Sequence, residues 1–286
     1  MTTTLLLGAA AIASLREALA EAGYEFRALD HAHWQARGEE VVVSAYRSGK
    51  VVVQGRGAGL FLGRFGGGGG EGPGETQVGS DESGKGDYFG PLVVAAVVVT
   101  PEHAAKLAKA GVRDCKTMGD EAVHRAALVI RALCPHAIVA LSPGQYNARH
   151  RETGNVAVFL AAMHADAIAA ALSGAKGCER VVIDQFTRPE RLRAELKRAG
   201  VGLPAEIRTK AEDNPAVAAA SVLARAEFLN GLRELGHGFG TELPKGAGEP
   251  VDRVAREIYA LGGIDALAGI AKTHFKTTEK AVSARR

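Results

Sequence analysis

Asp81 and Glu82 stand side by side in Gly79-Ser-Asp-Glu-Ser-Gly-Lys-Gly-Asp87, the segment of the chain best equipped for chemistry. Two neighbouring carboxylates repel each other unless a cation lies between them. Magnesium suits such a place, because it takes hard oxygen ligands and keeps positions open for water and phosphate. A lone Asp-Glu pair is more often a solvated turn, but two further acids change that weighting. Asp184 closes the apolar run Val181-Val-Ile183, and α/β proteins place ligands at the tips of buried strands. Glu212 follows Ile207-Arg-Thr-Lys-Ala211 and precedes a long helical pattern. Gathered together, Asp81, Glu82, Asp184 and Glu212 suit two Mg2+ or Mn2+ ions and the hydrolysis of a phosphodiester. One ion lowers the pKa of the attacking water and the other stabilises the leaving oxygen. Asp87 and Asp213 compete for places in the cluster.

The elements that must carry these acids follow from periodicity. Residues 78–82 form a short strand pattern, and 92–100 are nearly all Val and Ala, as in a strand buried on both faces. Further strands are expected at 137–142 and 180–184, with a weaker one at 205–208. Helical patterns occupy 102–110, 120–133, 155–172 and 189–199. The longest helix starts at Pro215 and runs to about 235, with Asn214 as its N-cap. Strands alternating with helices indicate an α/β sandwich. Adjacent strand residues point to opposite faces, so Asp81 and Glu82 converge only where the strand ends or distorts. Gly84 and Gly86 supply that freedom.

A glycine-rich stretch, Phe65-Gly-Gly-Gly-Gly-Gly-Glu-Gly-Pro-Gly-Glu-Thr76, reads as a linker between two domains. The expected boundaries are 1–64, 65–76 and 77–286, the last with a helical C-terminal region. Before the linker, 14–22 has helical spacing. Residues 40–46 and 50–54 read as a hairpin turning at Arg47-Ser48-Gly49. Gly79 to Lys85 also matches GxxxxGK, the start of a P-loop. The next residue is Gly86, where a P-loop needs a hydroxyl for magnesium, and a strand follows instead of a helix. The P-loop is therefore the weaker reading.

The 286 residues are 47% hydrophobic and 23% charged, as in an ordinary globular protein, and a net charge of +3 permits a polyanionic partner without arguing for one. Cys115, Cys134 and Cys178 are scattered and form no CxxC pair, which speaks against a zinc ribbon and fits free thiols in the cytoplasm. The apolar run 5–13 lacks the basic flank of a secretion signal. No membrane-crossing helix is expected.

Asp81-Glu-Ser-Gly-Lys-Gly-Asp-Tyr-Phe-Gly-Pro-Leu92 resembles the signature of type 2 ribonucleases H, and its Asp-Tyr-Phe-Gly-Pro portion is similar to the ribonuclease HIII branch. Later segments fit in order. These are Gly111-Val-Arg-Asp-Cys-Lys116, Thr209-Lys-Ala-Glu212, Val217-Ala-Ala-Ala-Ser-Val-Leu-Ala-Arg225, Leu243-Pro-Lys-Gly-Ala247 and Ala271-Lys-Thr-His-Phe-Lys276. Ser44-Ala-Tyr-Arg-Ser-Gly-Lys-Val-Val-Val-Gln-Gly55 resembles the HIII substrate-binding domain, whose fold is similar to the TATA-binding protein. Any one of these motifs is moderately specific; their ordered set covers nearly the whole chain.

The resemblance implies a ribonuclease H-like mixed α/β sheet flanked by helices, preceded by a small TATA-binding-protein-like α+β domain. It implies a metal-dependent endoribonuclease that cuts the RNA strand of an RNA/DNA hybrid and leaves 3′-hydroxyl and 5′-phosphate ends. The family's four metal carboxylates fall on Asp81, Glu82, Asp184 and Glu212, which ranks Glu212 above Asp213. Its Gly-x-Gly loop, which contacts the RNA backbone and 2′-hydroxyls, falls on Gly84, Lys85 and Gly86. Lys116, Lys210 and Arg225 lie near the acids and are candidates for phosphate. Tyr46, Arg47 and Lys50 flank the hairpin turn and are candidates for holding the hybrid. His164 reads as a helix-packing residue, and His274 faces substrate or solvent. Cys115 departs from the family's serine, and Asn155-Val-Ala-Val-Phe-Leu160 is a poorer match than its surroundings. The hybrid is the expected partner, with no membrane, no obligate protein partner and a monomeric state. Two rivals are a ribonuclease HII-type enzyme that cuts at single embedded ribonucleotides and a non-catalytic hybrid binder. The N-terminal domain weighs against the first and the full set of acids against the second.

Overall fold

A computed structural model describes residues 2–65, 75–112, 115 and 118–283. The glycine run at 66–74 and Lys116 lie outside the described residues. The chain divides into two compact units, Met1–Gly74 and Glu75–Arg286.

The first unit runs β1 (Thr2–Leu6), α1 (Ala9–Glu21), β2 (Glu25–Arg27), β3 (Ala32–Gly38), β4 (Val41–Tyr46), β5 (Lys50–Gly55) and α2 (Ala58–Phe65). Its sheet has the order β1-β5-β4-β3-β2, with every pair antiparallel. Val41, Val43 and Ala45 on β4 and Val51 and Val53 on β5 are buried at alternate positions, forming one core with Ile12, Leu15 and Leu19 of α1. The β4–β5 hairpin appears where expected. Gly49 adopts a φ of +84° at its turn, and its N–H donates to the Tyr46 carbonyl at 3.0 Å. The helix expected from residue 14 begins at Ala9, and the apolar run 5–13 is divided between β1 and α1. β1, β2, β3 and α2 were not foreseen; β3, reading AHWQARG, has none of the β-branched side chains that mark a strand.

The second unit runs β6 (Gln77–Ser83), β7 (Leu92–Val99), α3 (Pro101–Lys109), α4 (Asp120–Leu133), β8 (His136–Leu141), α5 (Pro143–Thr153), α6 (Val156–Ser173), β9 (Arg180–Asp184), α7 (Pro189–Arg198), β10 (Ala205–Arg208), α8 (Pro215–Phe239), α9 (Glu249–Ile270) and α10 (Lys276–Ser283). The sheet order is β10-β9-β6-β7-β8. β10, β9 and β6 are parallel and β6, β7 and β8 antiparallel, so the sheet is mixed. β7 is buried along its whole length, as its Val/Ala composition requires. Val93, Ala95, Val97 and Val99 enter a core shared with α4 and α8, while Leu92, Val94, Ala96 and Val98 enter a core shared with α6 and α7.

Contrary to the expectation of no such segment, α6 is long and apolar enough to cross a membrane, with a mean hydropathy of 1.8. Phe159, Leu160, Met163 and Ile168 of this helix are buried with sheet residues, so α6 is accounted for as a core helix.

Helix α8 is fixed to the sheet at its start. Asn214 caps it, accepting from the Ala216 N–H at 2.9 Å, and the Asn214 Nδ2 donates to the Gln77 Oε1 at 2.6 Å. The helix can lie this close because Gly79 has no side chain: a Cβ there would fall 2.3 Å from the Val217 nitrogen and 2.4 Å from the Ala216 carbonyl carbon.

Candidate active site

Strand β6 does not end at the acidic pair. It pairs with β7 through Asp81↔Ala95, Glu82↔Val94 and Ser83↔Val93. Asp81 and Glu82 therefore leave the strand on opposite faces. Gly79 and Asp81 lie on the α8 side, where Ser221 of α8 hydrogen-bonds to the Asp81 carboxylate. Ser80 and Glu82 lie on the α6 side, where both meet His164. The distortion expected at this pair comes later, at Gly84, whose φ is +89° and whose added Cβ would strike the Pro91 carbonyl oxygen at 2.2 Å.

The two carboxylates are electrostatically unlike. Burial raises the pKa of Asp81, and the charge of Glu82 raises it further, to about 6. The Ser221 hydroxyl and the Glu82 N–H, 2.8 Å from the Asp81 Oδ1, offset only part of this. Burial also acts to raise Glu82, but His164 and Lys85 outweigh it and bring its pKa down to about 2. The Lys85 Nζ donates to the Glu82 Oε1 at 3.2 Å. The His164 Nε2 stands 3.3 Å from the Glu82 Oε2, close enough for an ion-pair contact but not aligned as a hydrogen bond. The His164 Nδ1 lies 2.8 Å from the Ser80 Oγ.

Asp81 and Asp184 each lie one residue past the last paired positions of β6 and β9. The parallel register of β6 and β9 pairs Ser80 with Ile183, and one further step sets Asp81 opposite Asp184, on strands about 4.8 Å apart. The Asp184 Oδ1 accepts the Ala211 N–H at 3.1 Å. Ala211 opens a short 3-10 turn, Ala211–Asp213, which carries Glu212 into the α8 helix start. Asp213 is instead tied to the Arg208 guanidinium and is largely exposed. Asp87 accepts the Gly246 N–H at 2.6 Å. Chain folding thus brings Asp81, Asp184 and the Glu212 turn to one end of the sheet, with Glu82 across the strand.

Among the described residues, no three His, Cys, Asp or Glu side chains form a ready-made metal cage. The protein's own donors hold the acids instead: Lys85 on Glu82 and a backbone N–H on Asp184. The donor set still fits a hard divalent cation. Its groups are carboxylate oxygens, and the raised proton affinity of Asp81 marks a negative charge short of a positive partner.

Of the other candidates, Gly86 is open, with nothing within 4 Å of an added Cβ. The Lys85 Nζ lies 5.1 Å from the centre of the Phe186 ring. Lys210 adopts a left-handed φ of 58°, and its carbonyl accepts from Arg208. Arg225 reaches Asp120 at 3.4 Å, and Lys245 reaches the same carboxylate at 2.7 Å. In the first unit, Arg47 and Lys50 are exposed and Tyr46 is half-buried beside the hairpin turn. His274 is exposed and stacks on His150, with ring centres 4.1 Å apart.

Sequence reasoning missed Ser221, a hydroxyl in the otherwise apolar first turns of α8. Its Oγ is also 3.0 Å from the Cys115 Sγ, so the cysteine at the family's serine position remains within this hydrogen-bonded group. His164 does pack within α6, as read, but it also braces Glu82. Replacing His164 with Ala should cost about 1–3 kcal/mol, since it strips a buried hydroxyl of its partner. It should also raise the Glu82 pKa. Urea unfolding and carboxylate NMR titration of the metal-free protein measure the two effects; an unchanged Glu82 titration would remove the bracing role.

The "Ribonuclease HII" family model matches residues 78–278, and a model described as a domain of unknown function matches 5–68. A ribonuclease HIII of Streptococcus pneumoniae is 38% identical over 248 residues, covering 85% of each chain. One from Protochlamydia amoebophila is 37% identical over 203 residues, covering 71% of this chain and 67% of the relative. The solved structure of Bst-RNase HIII in complex with Mn2+ is 32% identical and covers 100% of both chains, with a TM-score of 0.73. The ribonuclease HII in a PCNA complex from Archaeoglobus fulgidus is 30% identical, covers 72% of this chain and 96% of its own, and has a TM-score of 0.61. The mixed sheet flanked by helices and the small preceding α+β unit agree with the fold expected from the motifs. The likeness to the HIII structure extends over both units, whereas the HII structure covers only part of the chain, and the chain belongs to the type 2 ribonuclease H family, in its ribonuclease HIII branch.

Proposed function

We propose that this chain is a divalent-metal endonuclease that hydrolyses the RNA strand of RNA/DNA hybrids, leaving 3′-hydroxyl and 5′-phosphate ends. The observation that carries this reading is the register of β6 and β9. Continued one step past Ser80↔Ile183, that register supports a neighbouring Asp81 and Asp184, and Asp184 is hydrogen-bonded to the turn that bears Glu212. Asp81, Asp184 and Glu212 would hold two Mg2+ or Mn2+ ions from the α8 side, and Glu82 would complete the set by reaching round the strand from its place beside His164. Bound there, such ions supply an acidified water and charge stabilisation at the scissile phosphate.

The chain's own groups do the rest. Ser221 and the Glu82 N–H aim the Asp81 carboxylate. His164 and Lys85 keep Glu82 ionised. The bare backbone at Gly86 lets a ribose approach closely, and a 2′-hydroxyl there distinguishes RNA from DNA. Lys210 and Arg225 are assigned to phosphates near the acids, and Lys116 stays in the same proposal. The first unit is assigned to substrate holding, with Tyr46, Arg47 and Lys50 at its hairpin tip. Its partner is the hybrid, with no obligate protein partner, and the enzyme works as a monomer in the cytoplasm.

Three labelled duplexes, each with and without EDTA, test the reading: an RNA/DNA hybrid, DNA with one embedded ribonucleotide, and plain DNA. The hybrid should be cut only with metal, the single-ribonucleotide duplex poorly and DNA not at all. Efficient cutting at the single ribonucleotide would favour the HII type of activity. Binding of the hybrid without a metal-dependent product would leave a non-catalytic binder.

A further inference from the structure

Lys272 is fully buried, yet no carboxylate oxygen forms an ion pair with it among the described residues. Its ammonium faces three backbone carbonyls instead: Gly90 at 2.7 Å, Asp87 at 3.0 Å and Phe89 at 3.5 Å. A lysine ammonium has three protons to donate and accepts nothing, so three carbonyls match it. The Tyr146 ring lies 5.6 Å below the nitrogen and adds a cation–π contact. A buried cation is costly unless its protons are bonded; burial pushes the pKa of the Lys272 ammonium down to about 7 while the Asp87 charge acts the other way, and its protons all go to a single backbone segment.

That segment is the exit of the Gly84-Lys85-Gly86 loop, which follows the acidic strand. The C-terminal region grips it at further points. The Lys272 N–H donates to the Tyr88 carbonyl at 2.9 Å, and the Gly90 N–H donates to the Ile270 carbonyl at 2.9 Å. The Tyr88 hydroxyl lies 3.0 Å from the Thr278 Oγ1. Phe89 forms a β-bridge with Ala271. Gly90 holds a φ of +85°, so the backbone here has a defined and unusual course. Asn147 secures the other side of the clasp, donating to the Ala271 carbonyl at 2.9 Å and accepting the Thr273 N–H at 3.0 Å.

We propose that Lys272 is a positioning residue for substrate: through the carbonyls of Asp87, Phe89 and Gly90 it fixes the Gly84-Lys85-Gly86 loop in the course that receives the RNA strand. This rests on the proposed ribonuclease reading, which gives that loop its contact with the ribose. It explains why 272–276, a motif almost 190 residues from the loop in sequence, returns to the same place in the fold. Lys272 touches none of Asp81, Glu82, Asp184 and Glu212, the acids assigned to metal, so its loss should fall on binding and not on the metal requirement.

The test uses the full chain with Lys272→Met and Lys272→Gln. Methionine keeps the bulk and removes all donors, while glutamine keeps two. The KM for a labelled hybrid should rise about tenfold in Lys272→Met and less in Lys272→Gln, with kcat within about twofold and the Mg2+ half-saturation unchanged. Deuterium uptake in a peptide covering 84–90 should quicken in the same order. A merely structural role would lower the melting temperature but leave KM alone. If Lys272→Met does not fold, Lys272→Gln carries the test. Wild-type KM and uptake in that variant would overturn the proposal, as would a raised Mg2+ half-saturation at constant KM. A wild-type protein with no hybrid cleavage at all would overturn the ribonuclease reading first, which a wild-type enzyme with unaffected variants would not.

Discussion

Asp81→Asn is expected to lower hybrid cleavage by a thousandfold or more while leaving hybrid binding within a few-fold of wild type. Asparagine keeps the size and part of the hydrogen bonding of the carboxylate, so the strand and the Ser221 contact survive. It removes the negative charge beside Asp184 that a divalent cation needs. Metal-assisted stabilisation of the transition state amounts to several kcal/mol, which corresponds to about three powers of ten in rate. Cleavage of end-labelled hybrid in Mg2+ and in Mn2+ measures the first quantity, and fluorescence anisotropy with the same hybrid measures the second. Cleavage at the wild-type rate would remove the mechanism; lost binding with a normal single-turnover rate would move Asp81 from chemistry to substrate contact.

The same variant makes a second, independent prediction in the absence of metal. The folded pKa of Asp81 is raised from 3.8 to about 6, so the folded state holds its proton more tightly than the unfolded chain does. Its contribution to stability is complete below pH 3.8 and is lost as pH rises through 6. The sign for Glu82 is opposite: with a folded pKa brought down from 4.5 to about 2, its contribution is present above pH 4.5 and is lost as pH falls through 2. At pH 7 in EDTA, Asp81→Asn should therefore be more stable than wild type, by about 3 kcal/mol from the size of the pKa change. Near pH 3.5 the difference should be small. Urea midpoints at the two pH values decide this. Equal midpoints at pH 7 would mean that the strained charge is already compensated by a group other than a metal.

The chemistry of the site was legible in the sequence to the extent that it depends on residue type and order. A strand of Val and Ala, capped helices, and acids at the ends of apolar runs are local features, and β7, α4, β9, β10 and the start of α8 fall where periodicity puts them. The faces of Asp81 and Glu82 were not legible. They depend on how far β7 continues to pair with β6, and that is decided by a neighbouring strand rather than by the Gly84–Gly86 loop. Ser221 and His164 look like ordinary interior residues of helices until packing sets them against the two acids from opposite sides. Helix α5 was missed, and α9 was expected only as part of a helical C-terminal region without bounds, for different reasons. α5 is strongly polar, with a hydrophobic pattern too weak to read, while α9 contains Gly262 and Gly263, and the chain kinks at Gly263 with a φ of 64°. The Lys272 clasp joins segments that nothing in their own sequences connects.

Gly79→Ala is expected to be among the most damaging single methyl groups in the second unit. Overpacking a core with flexible side chains costs about 1–3 kcal/mol because neighbours turn aside. Here the obstacles are the Val217 nitrogen at 2.3 Å and the Ala216 carbonyl carbon at 2.4 Å, both backbone atoms in the first turn of a capped helix. No rotamer relieves such a contact; α8 must shift away from β6 or the strand must bend. The cost should therefore reach or exceed about 3 kcal/mol, the upper end of that range. Because Asn214 ties the helix start to Gln77, and Ser221 lies further along the same helix, a displaced α8 also moves the Asp81 contact and the Glu212 turn. Activity should fall even at temperatures where the variant remains folded. Gly86→Ala is the matching control: it meets nothing within 4 Å and should leave stability within about 0.5 kcal/mol of wild type, as open surface changes do, while weakening hybrid binding if a ribose comes that close. Urea unfolding of both variants, with hybrid KM measured alongside, separates an alanine that breaks the scaffold from one that only blocks the substrate. A Gly79→Ala protein as stable as wild type would show that α8 does not need to lie against the strand to hold the acids in place.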